Sequence, residues 1–213
     1  KNIIIIETSL SRILILIIKN RKTFSKCLNS PKSIEQELNL IIDELMTKAN
    51  LNFNEINLIL VSLGPGSFTG IRIGISAAKA LSLSTGAKLI GYSNFEGIYS
   101  QFLTKEKQIK LKKVEVLIKG PGCEYFKKIF ASDIAEKKNY LITHAELMNK
   151  KISKNLLLIG SFKNTFKKKN YLFCLPDEKG YLLLASRVTK NLHNYKSKEP
   201  IPIYVKEHYA YQK

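Results

Sequence analysis

The stretch at 58–85 constrains the fold more than any other part of the sequence. Residues 58–63 (LILVSL) form a short apolar run of the kind found in strands buried on both faces. The Gly-Pro-Gly sequence at 64–66 interrupts this run, and Ser67 is a candidate N-cap. From residue 69 to residue 85 the apolar residues recur at helical spacing. The sequence therefore predicts a buried strand, a tight turn and a largely apolar helix.

The predicted helix carries a ridge of small residues, spaced four apart so that they lie on one side. This small-residue ridge consists of Gly70, Gly74, Ala78 and Ser82. Ile71 and Ile75 flank it. Because the helix is apolar over most of its circumference, we expect it to be covered on two sides. One side meets its own sheet, and the other meets a second helix or a partner protein.

A second amphipathic helix is predicted upstream, over residues 33–49. Ser33 and Gln36 have the spacing of a capping box, which marks the helix start. The apolar residues that follow at helical spacing are Ile34, Leu38, Ile41, Ile42, Leu45, Met46 and Ala49. This helix is the natural neighbour in the chain for the small-residue ridge.

The order of elements predicts an α/β fold. Three strands (3–6, 13–18 and 23–28) precede the first helix, and a strand at 88–91 follows the second. This series resembles one lobe of the actin-like ATPase and sugar-kinase superfamily, in which a mixed sheet is flanked by helices.

A lysine-rich stretch at 104–113 is the predicted boundary between two domains. We assign residues 1–104 to an actin-like N-terminal domain and residues 105–213 to a smaller, degenerate α/β domain. Beyond the boundary, strands are predicted at 114–118, 125–131 and 156–159, a helix at 181–191 and an extended end at 200–205.

The net charge of +18 is concentrated in the second half. Residues 1–103 hold 11 Lys and Arg against 7 Asp and Glu, whereas residues 104–213 hold 24 against 10. The basic residues are mostly lysine, and the chain is also rich in Ile and Asn. Because A+T-rich codons favour these three residues, genome bias explains much of the charge. A tRNA-binding module in the basic half is the lowest-ranked of three functions considered.

Motifs for catalysis and metal binding are weak. The loop at 64–70 lacks the Lys-Ser/Thr pair of a Walker loop. Glu7, Thr8 and Ser9 lie between the first two strands and form a possible vestigial nucleotide site, although an acid at a hairpin tip is usually solvated. The three cysteines form no C-x-x-C pair, and His144, His193 and His208 stand far apart. We therefore expect no catalytic residue, metal or cofactor in this chain.

The helix-opening motif resembles the signature of the TsaB (YeaZ) family of bacterial tRNA-modification proteins. The matching residues are Gly64, Pro65, Gly66, Ser67, Phe68, Thr69, Gly70, Ile71, Arg72, Ile73 and Gly74. The opening IIIIETS, the GYSNF at 91–95 and the PIYVK at 202–206 also resemble that family, with Glu7 in place of its usual aspartate.

The resemblance implies a non-catalytic subunit that supports a TsaD-type threonylcarbamoyl transferase in making threonylcarbamoyladenosine in tRNA. Metal and ATP are then expected on partner subunits, the latter involving a TsaE-type ATPase, and tRNA is met through the complex. Pairing with the transferase would use the two helices. The expected interface residues are Leu38, Ile41, Ile42, Leu45, Gly70, Ile71, Gly74, Ile75, Ala78 and Ser82. On this reading, Gly74→Leu would abolish the heterodimer and leave the chain folded.

Other possibilities stay open at the level of sequence. A small actin-like ATP-dependent phosphotransferase that uses Glu7 and the loop at Gly64 is the main alternative. A homodimer of the isolated chain is possible. The apolar runs are too short to cross a bilayer and no signal peptide is recognised, so we expect a cytoplasmic location without membrane contact.

Overall fold

The computed structural model describes residues 1–105, 113–131, 140–153, 155–163, 170–192 and 199–203, and the backbone of residues 134–135. Two sheets and the helices that cover them account for most of these residues. None of the helices in the described part of the chain combines the length and the apolar character needed to span a bilayer.

The first sheet is mixed and has five strands in the order β3-β2-β1-β4-β5. Its elements in chain order are β1 (Ile3–Glu7), β2 (Arg12–Lys19), β3 (Lys22–Asn29), α1 (Ile34–Lys48), β4 (Leu58–Ser62), α2 (Phe68–Thr85), β5 (Lys88–Tyr92) and α3 (Asn94–Lys105). The strands β1 to β3 are antiparallel, whereas β4 and β5 run parallel to β1. The central β1 and β4 are buried on both faces, because helices cover the sheet on each side.

The second sheet has the strand order β11-β10-β6-β7-β8, with β9 also paired to β7. Its elements are β6 (Lys113–Lys119), β7 (Glu124–Ala131), β8 (Ile134–Ala135), β9 (Tyr140–Thr143), α4 (His144–Asn149), β10 (Leu156–Gly160), β11 (Tyr171–Phe173) and α5 (Glu178–Lys190). The sheet is also mixed, since β6, β10 and β11 are parallel and β7 is antiparallel to β6.

The two faces of the first sheet are covered by different parts of the chain. On one face, α1 and α2 pack over alternate strand residues such as Ile4, Ile6 and Ile59. On the other face, α5 buries Tyr181 and Leu184 against the remaining strand residues. The last described helix thus completes the core of the first sheet.

The predicted α/β class and the predicted order of elements along the first half of the chain are confirmed, and most element boundaries move by one to three residues. The helix predicted from residue 69 starts at Phe68, with Ser67 as its N-cap and Gly86, at a φ of 71°, as its left-handed C-cap. The short elements β8, β9, α4 and β11 were not predicted. The domain division at residue 104 stays a prediction, and residues 204–205 of the predicted extended end lie outside the described residues.

Candidate functional site

The carboxylate of Glu7 is buried, which corrects the expectation of a solvated acid at a hairpin tip. Its Oε1 accepts hydrogen bonds from the Ser9 amide at 2.6 Å, the Ser9 hydroxyl at 2.8 Å and the Leu10 amide at 3.0 Å. Its Oε2 lies 3.5 Å from the guanidinium Nε of Arg12, and both side chains are almost fully buried. The Glu7 carboxylate therefore stabilises the turn that follows β1.

Arg12 connects this turn to the last helix region. Its guanidinium also donates to the carbonyl of Pro176, just before α5. Burial by itself would lower the pKa of Arg12, but the Coulombic effects of Tyr181 and Glu7 outweigh it, so the pKa lies above its ordinary value. Arg12 therefore remains a cation within the core and balances the buried carboxylate.

Ser9 and Asn94 join the hairpin turn to the glycine-rich loop. The Asn94 side-chain amide donates to the Ser9 hydroxyl at 2.6 Å and to the Pro65 carbonyl at 2.8 Å, and it accepts from the Ser62 hydroxyl at 2.8 Å. The Ser67 amide in turn donates to the Ser9 carbonyl at 2.8 Å. Asn94 is fully buried, and its role was not foreseen, although its place between a strand and a helix was a usable signal.

The residues of the possible vestigial nucleotide site therefore belong to a network of hydrogen bonds within the chain. The carboxylate of Glu7 and the hydroxyl of Ser9 bond within this network, while the Thr8 hydroxyl donates to the Gly70 carbonyl at 2.6 Å. In the described structure these groups face the chain's own turns. This arrangement does not favour the phosphotransferase alternative, which requires Glu7 to face a metal and a phosphate.

The small-residue ridge packs against its own chain, which corrects its predicted role as a docking surface. A Cβ at Gly70 would overlap the carbonyl oxygen of Thr8, and one at Gly74 would overlap the Thr8 hydroxyl. Ala78 is fully buried, and Ser82 donates to the Ala87 carbonyl at 2.8 Å. The ridge lets the turn after β1 lie directly on α2, so Gly74→Leu would disturb the fold as well as any interface.

The other expected interface residues are also buried inside the chain. Leu38, Ile41, Ile42 and Leu45 of α1 are at most 4% exposed and belong to the same core as Ile71 and Ile75. They lie in the core between the two helices and the first sheet, so they do not form the outer surface of the helix pair.

The opposite side of α2 is open, and we call it the α2 outer face. Leu83 is 88% exposed and Phe68 is 49% exposed. The Arg72 guanidinium lies 3.8 Å from the centre of the Phe68 ring. The residues that share this face by helical spacing are Phe68, Thr69, Arg72, Ile73, Ser76, Ala77, Ala80 and Leu83.

A cavity of about 690 Å³ opens beside the first turn of α2. Its walls come from the hairpin turn at 9–11, the loop at 65–68, the end of β6 with its following turn, and the segment at 161–162. No sequence pattern indicated this cavity, because its walls come from segments far apart in the chain that meet only in the folded protein.

The histidine and cysteine predictions are partly covered by the structure. The Tyr125 hydroxyl lies 3.4 Å from Nδ1 of His144. His193 and His208 lie outside the described residues. No group of three His, Cys, Asp or Glu suited to a metal occurs among the described residues. Burial raises the pKa of the Cys174 thiol to about 12, so it stays protonated, and Cys27 and Cys123 are exposed.

Comparison with known proteins gives matches to two related groups. The family model of the tRNA N6-adenosine threonylcarbamoyltransferase TsaD matches residues 30–120, which is less than half of the chain. A transferase of that name from Clostridioides difficile is 32% identical over 91 residues, covering 43% of this chain and 27% of the relative. The chain thus spans only about a quarter of that enzyme.

Two matches that cover most of this chain are to proteins named TsaB or YeaZ. The tRNA threonylcarbamoyladenosine biosynthesis protein TsaB of Buchnera aphidicola is 27% identical over 179 residues, covering 80% of this chain and 83% of the relative. YeaZ from Pseudomonas aeruginosa has the same fold, with a TM-score of 0.77 over 96% of this chain and 99% of that chain, at 14% identity. The resemblance recognised in the sequence is confirmed over most of the chain.

Proposed function

We propose that this chain, which resembles the TsaB (YeaZ) family in sequence and fold, is a non-catalytic subunit of the machinery that makes threonylcarbamoyladenosine in tRNA. The observation that carries this proposal is the match to a TsaB protein over four fifths of the chain. We place it in the cytoplasm, where it binds and supports a TsaD-type transferase. Metal, ATP and a TsaE-type ATPase belong to the partner subunits, and tRNA is contacted through the complex.

A supporting role agrees with how the chain uses its polar groups. In an actin-like enzyme the acid after the first strand would face the ligand. Here the Glu7 carboxylate bonds to Ser9 and Leu10 and pairs with Arg12, and Asn94 bonds to Ser9, Ser62 and Pro65. These contacts stabilise the loop that precedes α2, so they fix the position of the α2 outer face.

The α2 outer face is the surface that we propose for the partner. It presents Ile73 and Ala77 as half-buried apolar side chains, with small residues between them and the exposed Leu83 near its end. Small side chains let a second helix approach closely, and the exposed apolar residues gain most when they are covered. The same face is the candidate for a homodimer when the partner is absent.

The experiment is co-purification of the chain with the TsaD-type protein of the same cell. Ser76→Arg places a long cation at the centre of the α2 outer face, at a position where the serine is exposed. We expect this variant to lose the transferase from its elution peak. Size-exclusion chromatography of each variant without the partner reports any homodimer.

Ser186→Arg is the matched control, because Ser186 is an exposed serine on α5, which covers the opposite face of the sheet. This variant should keep the partner. If Ser76→Arg co-elutes with the transferase as the parent chain does, the assignment of the α2 outer face is wrong. If the parent chain itself fails to bind the transferase, the proposed function is wrong.

A further inference from the structure

The cavity beside α2 has mostly apolar walls. Phe68, Ile118, Phe126 and Phe162 contribute side chains to it, and serines occupy several of the remaining positions. A volume of about 690 Å³ is within the range of sites that enclose a small organic molecule. Aromatic walls favour a flat apolar group, which can stack against a ring or meet its edge.

The charges around the cavity are positive. Lys119, at the end of β6, is exposed and lines it. The N-terminal end of α2 also borders it, and the first turn of this 18-residue helix carries no acidic side chain that would offset the helix dipole. Arg72 stands over the Phe68 ring at the same end. None of the described lining residues is an Asp or a Glu.

We propose that this cavity binds a small organic anion with a flat apolar body, and that it does so without a divalent cation. The apolar body lies between the aromatic walls, and the anionic group lies near Lys119 and the first turn of α2. Carboxylates are the ligands that Mg²⁺ uses in proteins, so the composition of the described lining matches an anion alone and not its magnesium complex. The inference does not require a bound partner, although the cavity shares Phe68 with the α2 outer face.

The test is a fluorescence titration of the full chain with anilinonaphthalene sulfonate, an aromatic anion, at low ionic strength in the presence of EDTA. We expect saturable binding at one site per chain. Lys119→Glu should weaken this binding roughly fivefold, since it replaces an attraction by a repulsion at the rim. The uncharged N-phenylnaphthylamine should bind the parent chain and Lys119→Glu equally well.

Lys113→Glu is the matched control, because Lys113 is an exposed lysine at the other end of β6, about 20 Å from Lys119. The two substitutions change the net charge of the chain equally. It should leave the affinity unchanged. Ser161→Trp fills the cavity from a half-buried lining position and should weaken both probes more than tenfold. Thermal unfolding of each variant checks that the fold is retained.

Three results would overturn the proposal. Equal weakening by Lys113→Glu would show that only the overall charge matters. Unchanged binding by a folded Ser161→Trp would place the probe elsewhere on the surface. Binding that appears only when Mg²⁺ replaces EDTA would contradict the metal-free assignment.

Discussion

At the scale of single residues, Gly70 explains why this chain needs glycine in a helix that would otherwise prefer alanine. Alanine is favoured over glycine in a helix interior by about 1 kcal/mol. At Gly70, however, the Thr8 carbonyl oxygen occupies the position that a Cβ would take, and the neighbouring backbone at Ser9 is fixed by the Ser67 amide. Local propensity therefore gives way to the close approach of two backbone segments.

Gly70→Ala is expected to lower the free energy of unfolding by about 2 kcal/mol or more, because the new methyl group must displace backbone atoms. Gly97→Ala is the matched control, since Gly97 also lies in the first turn of a helix, α3, and its Cβ would meet the Tyr181 ring at an ordinary 3.5 Å. This variant should be neutral or up to about 1 kcal/mol more stable. Urea unfolding monitored by circular dichroism measures both, and equal effects would contradict the packing argument.

At the scale of elements, the helix α1 is tied to the edge strand β3 by an exposed cluster of charges. The Glu44 carboxylate accepts from the ammonium group of Lys26 on β3 and from that of Lys48, 2.5 Å away on the next turn of α1. The hydrogen bond from Lys26 is the largest cause, followed by that from Lys48, of a Glu44 pKa lowered from 4.5 to about 2. These bonds favour the ionised form of the acid.

The pH dependence follows from the sign of this shift. Because the pKa of Glu44 is lower in the folded chain, its contribution to stability is complete above pH 4.5 and is lost as the pH falls through about 2. An NMR titration of the Glu44 carboxyl should give a midpoint near 2, and Lys26→Gln should move it back toward 4.5. The shift should shrink at high salt, because the pair is exposed. If the midpoint of Glu44 is unchanged in the Lys26→Gln variant, the assignment of the shift to Lys26 is wrong.

The helix α2 shows how one element can combine two surfaces. Its small-residue ridge accepts the turn after β1, and its outer face carries the exposed Phe68 and Leu83. The two surfaces lie on opposite sides of the same helix, so the packing of the turn fixes the direction in which the α2 outer face points. This coupling is the structural basis for the surface that we propose for the partner.

At the scale of the whole molecule, the end of the chain completes the core of its beginning. Tyr181, Leu184 and Val188 of α5 are at most 2% exposed and cover the face of the first sheet that α1 and α2 leave open. Glu178 accepts hydrogen bonds from Thr23 and Ser25 on β3, which fixes the start of α5 against the same sheet. The first sheet therefore depends on residues that lie far beyond the predicted boundary at 104.

A fragment of residues 1–105 should fail to fold cooperatively, because it lacks α5 and leaves one apolar sheet face uncovered. The strand residues on that face are Ile3, Ile5, Leu14, Leu16, Leu58, Leu60, Ile90 and Tyr92. We expect a broad urea transition for the fragment and a sharp one for the full chain. A fragment that unfolds cooperatively with the stability of the full chain would contradict this dependence and favour an independent first domain.

The sequence by itself determined the elements whose signals are local. The buried strand, the turn and the helix at 58–85 follow from an apolar run, a Gly-Pro-Gly interruption and helical spacing, and the caps Ser67 and Gly86 follow from residue type. The order of strands and helices along the first half of the chain was predictable for the same reason, whereas the order of strands within the sheet was not predicted. Signals of this kind depend on neighbours within a few turns of chain, so they survive without tertiary information.

Only the tertiary structure decided which surfaces face inward. Helical spacing placed Gly70, Gly74 and Ala78 on one side of α2, but it could not show that the turn at Thr8 fills that side. Likewise, the burial of Glu7 depends on Arg12 and on a chain segment more than 160 residues away. Contacts between distant segments are set by how complete elements pack, and a local pattern of residues does not contain that information.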